Sequence, residues 1–303
     1  DSYYGLIHEG KTAVIEMASC AGLPLVEDRK NPKLTTTYGV GQLILAAAES
    51  GVEKIIVGLG GSSTNDGGCG AAAAVGIKFY DKDGKEFVPT GGTTADIAKI
   101  DLSGKAKVLD QVEIVTMCDI DNPMYGPTGA SYIFGPQKGA DEAMVEELDA
   151  GIKNLSRVIA EATGEDISQV PGTGAAGAMG AGMIAFFGSR LQMGIQTVLD
   201  TVNFDEMIKD ADYIITGEGK LDSQSLRGKV VIGIAERAKK QNKNVIAVVG
   251  GADDSEIDKA YEMGVTAVFP INRLPQDFSV SRHHSKENLG YTVDNILRLL
   301  ATK

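Results

Sequence analysis

Histidine, cysteine and surplus positive charge are all scarce in this chain, and each shortage excludes a class of function. Histidine occurs three times, as His8, His283 and His284. All three lie away from the glycine-rich segments, so a histidine-centred triad is excluded. The cysteines Cys20, Cys69 and Cys118 stand far apart without a CxxC spacing. Neither a zinc site nor a disulfide framework fits that spacing, which suits a reducing cytoplasm. The formal charge of −12 provides no basic footprint for nucleic acid. No apolar run approaches the roughly 18 residues of a membrane span. GxxxxGK[ST] is missing as well: Gly228-Lys229 has Ser223 where the first glycine belongs and Val230 after it. Protein-kinase HRD and DFG segments are also absent.

Glycine, by contrast, is abundant at 38 residues and clustered. Apolar periodicity predicts a helix over 38–50 closed by Gly51, then a buried strand at 54–59. The strand runs into Gly60-Gly61-Ser62-Ser63-Thr64-Asn65-Asp66-Gly67-Gly68. Such a segment before a helix offers backbone N–H groups and hydroxyls to an anion, with Asp66 as a base or metal ligand. A plain strand-to-helix turn is the alternative, although nine such residues exceed what a turn needs. A strand at 112–118 leads to Asp119 and Asp121, a carboxylate pair suited to Mg²⁺ or to proton abstraction, or to an Asx turn before Pro123. The stretch 119–139 reads as one long polar loop. Lys138 within it is able to neutralise a phosphate or a substrate carboxylate, or to lie on plain surface.

Gly172-Thr173-Gly174-Ala175-Ala176-Gly177 fits GxGxxG, but no good strand precedes it, so a dehydrogenase is disfavoured. The glycines there serve either phosphate binding or close helix packing. From residue 212 onward, strands at 212–216, 244–249 and 265–270 alternate with helices at 228–240 and 255–263, which is a βαβαβ unit with a parallel sheet. The first strand ends in Gly217-Glu218-Gly219-Lys220-Leu221-Asp222, where carboxylates for Mg²⁺ and cations for phosphate stand at the ligand-binding edge of such a sheet. A salt-bridged surface loop is the alternative there.

Five segments together resemble the bacterial type I glycerate kinases. They are Val57 to Gly68, Cys118 to Pro123, Phe134 to Gly139, Pro171 to Gly177, and Ile215 to Asp222 with Gly228-Lys229. The resemblance implies two α/β domains: residues 1–199 as a second, inserted domain carrying the glycine-rich loop, and 200–303 as the C-terminal part of a flavodoxin-like parallel-sheet domain. It also implies that the family's first ~70 residues are missing here, so that the sheet of 200–303 has an unpaired edge.

The activity implied is ATP-dependent phosphorylation of D-glycerate in organic-acid catabolism, with 2-phosphoglycerate favoured. Asp66, Asp119 and Lys138 are the catalytic candidates. Gly60, Gly61, Ser62, Ser63, Asn65, Gly172, Gly174, Gly217, Glu218, Gly219, Lys220 and Lys229 are candidates for ATP. Asp121, Glu218 and Asp222 are candidates for Mg²⁺. The expected setting is the cytoplasm, with a homodimer as the candidate assembly and no nucleic-acid or membrane partner. Two alternatives stand beside this. One is a haloacid-dehalogenase-like phosphatase using Asp119/Asp121, Thr216, Lys229 and Asp253/Asp254. The other is a non-catalytic ligand-binding remnant.

Overall fold

A computed structural model describes residues 2–223 and 225–302. The chain falls into two compact units, Asp1–Gln192 and Met193–Lys303. In the first unit, Thr12–Glu16 alternates so that Ala13 and Ile15 are fully buried. It forms β2 and pairs antiparallel with β1 (Gly5–Ile7). The segments β3 (Lys54–Gly58), β7 (Glu113–Met117) and β8 (Arg190–Gln192) add in parallel, in the order β1-β2-β3-β7-β8. The crossover from β2 to β3 carries the helix Tyr38–Glu49, whose buried residues Val40, Ile44, Ala47 and Ala48 form one stripe. Gly51, with φ +87°, ends it by taking the left-handed turn that glycine adopts without strain.

Between β3 and β7 lies a small antiparallel sheet, β5-β4-β6, made of β4 (Lys78–Tyr80), β5 (Glu86–Phe87) and β6 (Lys99–Asp101). Phe79 on β4 is fully buried and meets Phe186 edge-on, with ring centres 5.9 Å apart. The helix Glu142–Thr163 starts at Asp141, whose side chain accepts from the Met144 amide. It buries Leu148, Ile152, Leu155 and Ile159, each stabilising by about 1.5–3 kcal/mol. Residues 119–139 are not one structureless loop. They contain the helix Ala130–Phe134 and a 3-10 turn at Pro136–Lys138, which buried Ala130 and Ser131 anchor to the core.

The second unit is the expected βαβαβ unit. Its strands β9 (Tyr213–Glu218), β10 (Asn244–Val249) and β11 (Ala267–Pro270) are parallel, in the order β11-β10-β9. The helices Val230–Lys239 and Ile257–Glu262 connect them. Val245, Ala247 and Val249 pack on one face of β10 with Val231 and Ala235. Ile246 and Val248 pack on the other with Ile296 of the helix Ser285–Leu300. Burial on both faces is why β10 reads as an unbroken apolar run. Arg237 forks onto Asp205 at 3.1 and 2.7 Å and also pairs with Asp200 at 2.7 Å. Among the described residues, β9 pairs with β10 alone.

Candidate active site

In the first unit the parallel strands end on one rung, with Glu16 of β2, Gly58 of β3 and Met117 of β7 in register. Ligands of open parallel sheets bind beyond such carboxyl ends. A cavity of about 440 Å³ opens there, bordered by Glu16, Gly60, Gly61, Ser62, Asp119, Phe134, Lys138, Ala175 and Ala176. Gly58 keeps its floor open, because a β-carbon there would lie 2.8 Å from Glu16 Oε1. A larger groove of about 740 Å³ follows the Glu142–Thr163 helix and carries Lys153, Arg157 and Asp166. No glycine-rich segment reaches that groove.

The loop after β3 divides into two halves. Gly60 and Gly61 are exposed, and with Ser62 they face the cavity. From Ser63 to Gly68 every residue is buried. Ser63 spends both its amide and its hydroxyl on the Ala21 carbonyl, at 2.9 Å each. Asp66 is fully buried and accepts five hydrogen bonds. The Thr37 amide (2.8 Å), the Thr37 hydroxyl (2.9 Å), the Gly70 amide (3.2 Å) and the Thr36 hydroxyl (3.4 Å) all reach Oδ2, and the Gly68 amide (3.1 Å) reaches Oδ1. Burial pushes its carboxyl pKa up, and the bonds from Thr37, Gly68 and Gly70 oppose this. With five donors around it, the carboxylate form is the one the site satisfies. Asp66 does not border the cavity, so its geometry is that of an anchor for the loop rather than of a group that reaches a substrate hydroxyl.

Lys138 stands beside this anchor. It is 1% exposed, borders the cavity, and donates to the Thr64 carbonyl at 2.6 Å. Burial pulls its pKa down to about 7, against the raising charge of Asp66. Two acceptors close by in sequence to the Thr64 carbonyl, Thr64 Oγ1 and Asn65 Oδ1, are buried without a hydrogen-bond partner among the described residues. The Asn65 amide nitrogen donates to Ser131 Oγ at 3.1 Å.

Gly172 and Gly174 serve close packing. A β-carbon on Gly172 would lie 2.8 Å from Cys118 Sγ, and one on Gly174 would lie 2.2 Å from the Pro123 carbonyl. The Gly174 amide is taken by the Asn122 carbonyl. What reaches the cavity from this stretch is Ala175 and Ala176. Ala176, Gly177 and Ala178 are consecutive left-handed residues, with φ of 55°, 71° and 64°. Gly177 is pressed onto the Gly60–Gly68 loop. A β-carbon on it would come within 2.0 Å of the Thr64 carbonyl, and its own carbonyl accepts from the Gly67 amide.

Asp119 is exposed and borders the cavity, whereas Asp121 is exposed and does not. The remaining candidates belong to the second unit. Gly217 is fixed by packing, since a β-carbon there would lie 2.3 Å from the Val248 carbonyl, while Gly219 has open space. Lys220 and Lys229 are exposed. Glu218 Oε1 is buried without a hydrogen-bond partner among the described residues. Burial pushes the Glu218 pKa up, Asp222 adds to this, and Ser225 and Lys229 oppose it. Among the described residues no three His, Cys, Asp or Glu side chains gather as a metal cage. Glu16 escapes sequence reasoning altogether. Its signal is faint: a carboxylate closing the short alternating run Thr12–Glu16.

Comparison with known proteins bears directly on this arrangement. The glycerate kinase family model matches residues 1–301. The expectation of a missing amino-terminal segment is not borne out by that match, which begins at residue 1. A glycerate kinase of Bacillus cereus is 45% identical over 97% of this chain and 77% of its own length. The glycerate kinase of Haemophilus influenzae is 44% identical over 100% of this chain and 80% of its own. A glycerate 2-kinase of Escherichia coli K12 is 46% identical over 88% and 70%. A crystal structure from Salmonella typhimurium LT2, provisionally assigned as glycerate kinase 2, superposes with a TM-score of 0.84 at 39% identity and covers 99% of this chain and 79% of the other. On these matches, the chain belongs to the glycerate kinase family.

Proposed function

We propose that the chain transfers the terminal phosphoryl group of ATP to D-glycerate, giving 2-phosphoglycerate. The family supports the reaction, and the relative named glycerate 2-kinase supports the position. The observation that carries the proposal within the structure is the first unit's cavity, where Lys138, Glu16 and Asp119 share the carboxyl edge of a parallel sheet. Phosphoryl transfer needs positioning, a proton acceptor for the hydroxyl, and cations for the transferring group. Asp119 is the proton acceptor in this proposal. The Gly60–Ser62 segment and Lys138 hold anionic groups, and Asp66 positions the loop that carries them.

Lys220 and Lys229 are the cations proposed for the nucleotide phosphates. Glu218 and Asp222 fit Mg²⁺, because among the described residues Glu218 Oε1 lacks a hydrogen-bond partner and Mg²⁺ is commonly held by one or two carboxylates together with substrate phosphates. That ion supplies charge neutralisation on the phosphates. We assign residues 200–303 to a flavodoxin-like domain on the strength of the parallel β11-β10-β9 order, and residues 1–199 to the second domain. The free thiols Cys20, Cys69 and Cys118 favour the cytoplasm. The homodimer is tested by sedimentation velocity.

The deciding experiment is ADP release from ATP and Mg²⁺, with and without D-glycerate. Release that requires glycerate, with NMR placing the phosphate on C2, is the expected result. No glycerate-dependent release overturns the proposal, and phosphate on C3 overturns its regiochemistry.

A further inference from the structure

Lys138 is buried more completely than its hydrogen bonding explains. An ammonium carries three donors. Among the described residues only the Thr64 carbonyl accepts from it, although the side chain is 1% exposed. A lysine serving the fold alone would be expected to meet further acceptors, because a buried charge is costly unless it is paired and hydrogen-bonded. Here its charge partner is Asp66, whose oxygens are already occupied by five other donors. Lys138 itself borders the cavity.

The other charged side chains of that cavity limit what completes the set. Glu16 and Asp119 are carboxylates, and among the described residues no arginine or second lysine borders it. A triphosphate would bring three or four negative charges toward one cation and two anions. A small hydroxy acid brings one carboxylate for the cation, and hydroxyls that can donate to the carboxylates.

We propose, resting on the glycerate kinase reading, that Lys138 receives the carboxylate of the acceptor acid, so that the first unit's cavity selects a hydroxy acid over the corresponding polyol. Glycerol is the informative comparison, because it offers hydroxyls on the same carbon skeleton without the carboxylate.

The test is Lys138→Met in the full chain, with steady-state constants for both substrates. The KM for D-glycerate should rise by about 10- to 100-fold, the scale of a lost charge-assisted hydrogen bond. The KM for ATP should stay within about twofold, a change too small to report a lost bond to charge, and the preference for glycerate over glycerol should collapse. A rise in the KM for ATP with the glycerate constant unchanged overturns the proposal and gives Lys138 to the nucleotide.

If circular dichroism shows that the variant does not fold, the unmodified chain is acetylated with acetic anhydride and followed by mass spectrometry. D-glycerate should then protect Lys138 while ATP does not; equal protection by ATP, or none by glycerate, overturns the assignment. Failure of the unmodified chain to release ADP with glycerate removes the underlying reading instead, so the two failures are separable.

Discussion

The Gly60–Gly68 loop follows a parallel strand and the Gly217–Lys229 segment begins at the end of one, and both mix glycine with hydroxyl, acidic or basic residues. Their interiors differ. The first buries its polar residues and satisfies most of them, with Asp66 as the hub and Leu155 packed so closely that a β-carbon on Gly67 would lie 2.1 Å from its methyl group. The second leaves Gly219, Lys220 and Lys229 in solvent and, among its described residues, buries little beyond Leu221, Ser225 and one oxygen of Glu218. A polar residue in a glycine-rich loop is therefore no more a ligand contact than a scaffold element until its own partners are known.

Substitution at Asp66 should break the comparison most strongly. Asp66→Asn places an amide N–H₂ group among donors from Thr36, Thr37, Gly68 and Gly70. It should lower unfolding free energy by about 3–5 kcal/mol, measured by urea denaturation. If stability holds and turnover alone falls, Asp66 is chemical rather than structural. Gly177→Ala should come next, at about 2–4 kcal/mol, because the new methyl meets the Thr64 carbonyl at a left-handed position. Gly219→Ala is its control, with open space and no positive φ, and should stay within about 0.5 kcal/mol.

The pH dependence sharpens the contrast further. Lys138, which feels the charge of Asp66 and shares the cavity with Glu16 and Asp119, loses its proton near pH 7 in the folded chain, while the unfolded chain keeps it to the ordinary lysine value. The unfolded state thus binds more protons between those limits, so stability relative to Lys138→Met should rise with pH above 7. The KM for D-glycerate should rise over the same window, by up to about tenfold per pH unit. Stability that falls over this window would show that Lys138 titrates elsewhere. The smallest effect on activity belongs to the second loop. Glu218→Gln should raise the Mg²⁺ needed for half-maximal rate by about tenfold with little loss of stability; an unchanged Mg²⁺ requirement removes Glu218 from the metal.

The sequence makes some of this legible and hides the rest for identifiable reasons. The strand-loop-helix punctuation around Gly60 is local, and so is the continuous apolar run of β10, so pattern alone finds both. The burial of Asp66 is not local. Its donors Thr36 and Thr37 come from 30 and 29 residues earlier. Glu16 is hidden by brevity, since a five-residue strand ending in glutamate is common and only the register with Gly58 and Met117 brings it to the cavity. The helix Ala130–Phe134 is hidden by its surroundings of glycine, proline and threonine, which promise only turns.

The left-handed turn at Ala176–Ala178 bears on the order of assembly. Gly177 takes this shape without strain, but each alanine beside it opposes its own chirality at roughly 1–2 kcal/mol, so the two alanines disfavour the turn before its neighbours exist. The compensating contacts come from Thr64, Asn65 and Gly67, more than a hundred residues away along the chain. The turn should therefore form late, against a surface already built, and Ala175 and Ala176 complete the cavity wall only then. Ligand binding by this unit would in that case report more than chemistry. It would count the molecules that have finished folding, and a near-native intermediate with its sheet and helices in place would remain invisible to substrate.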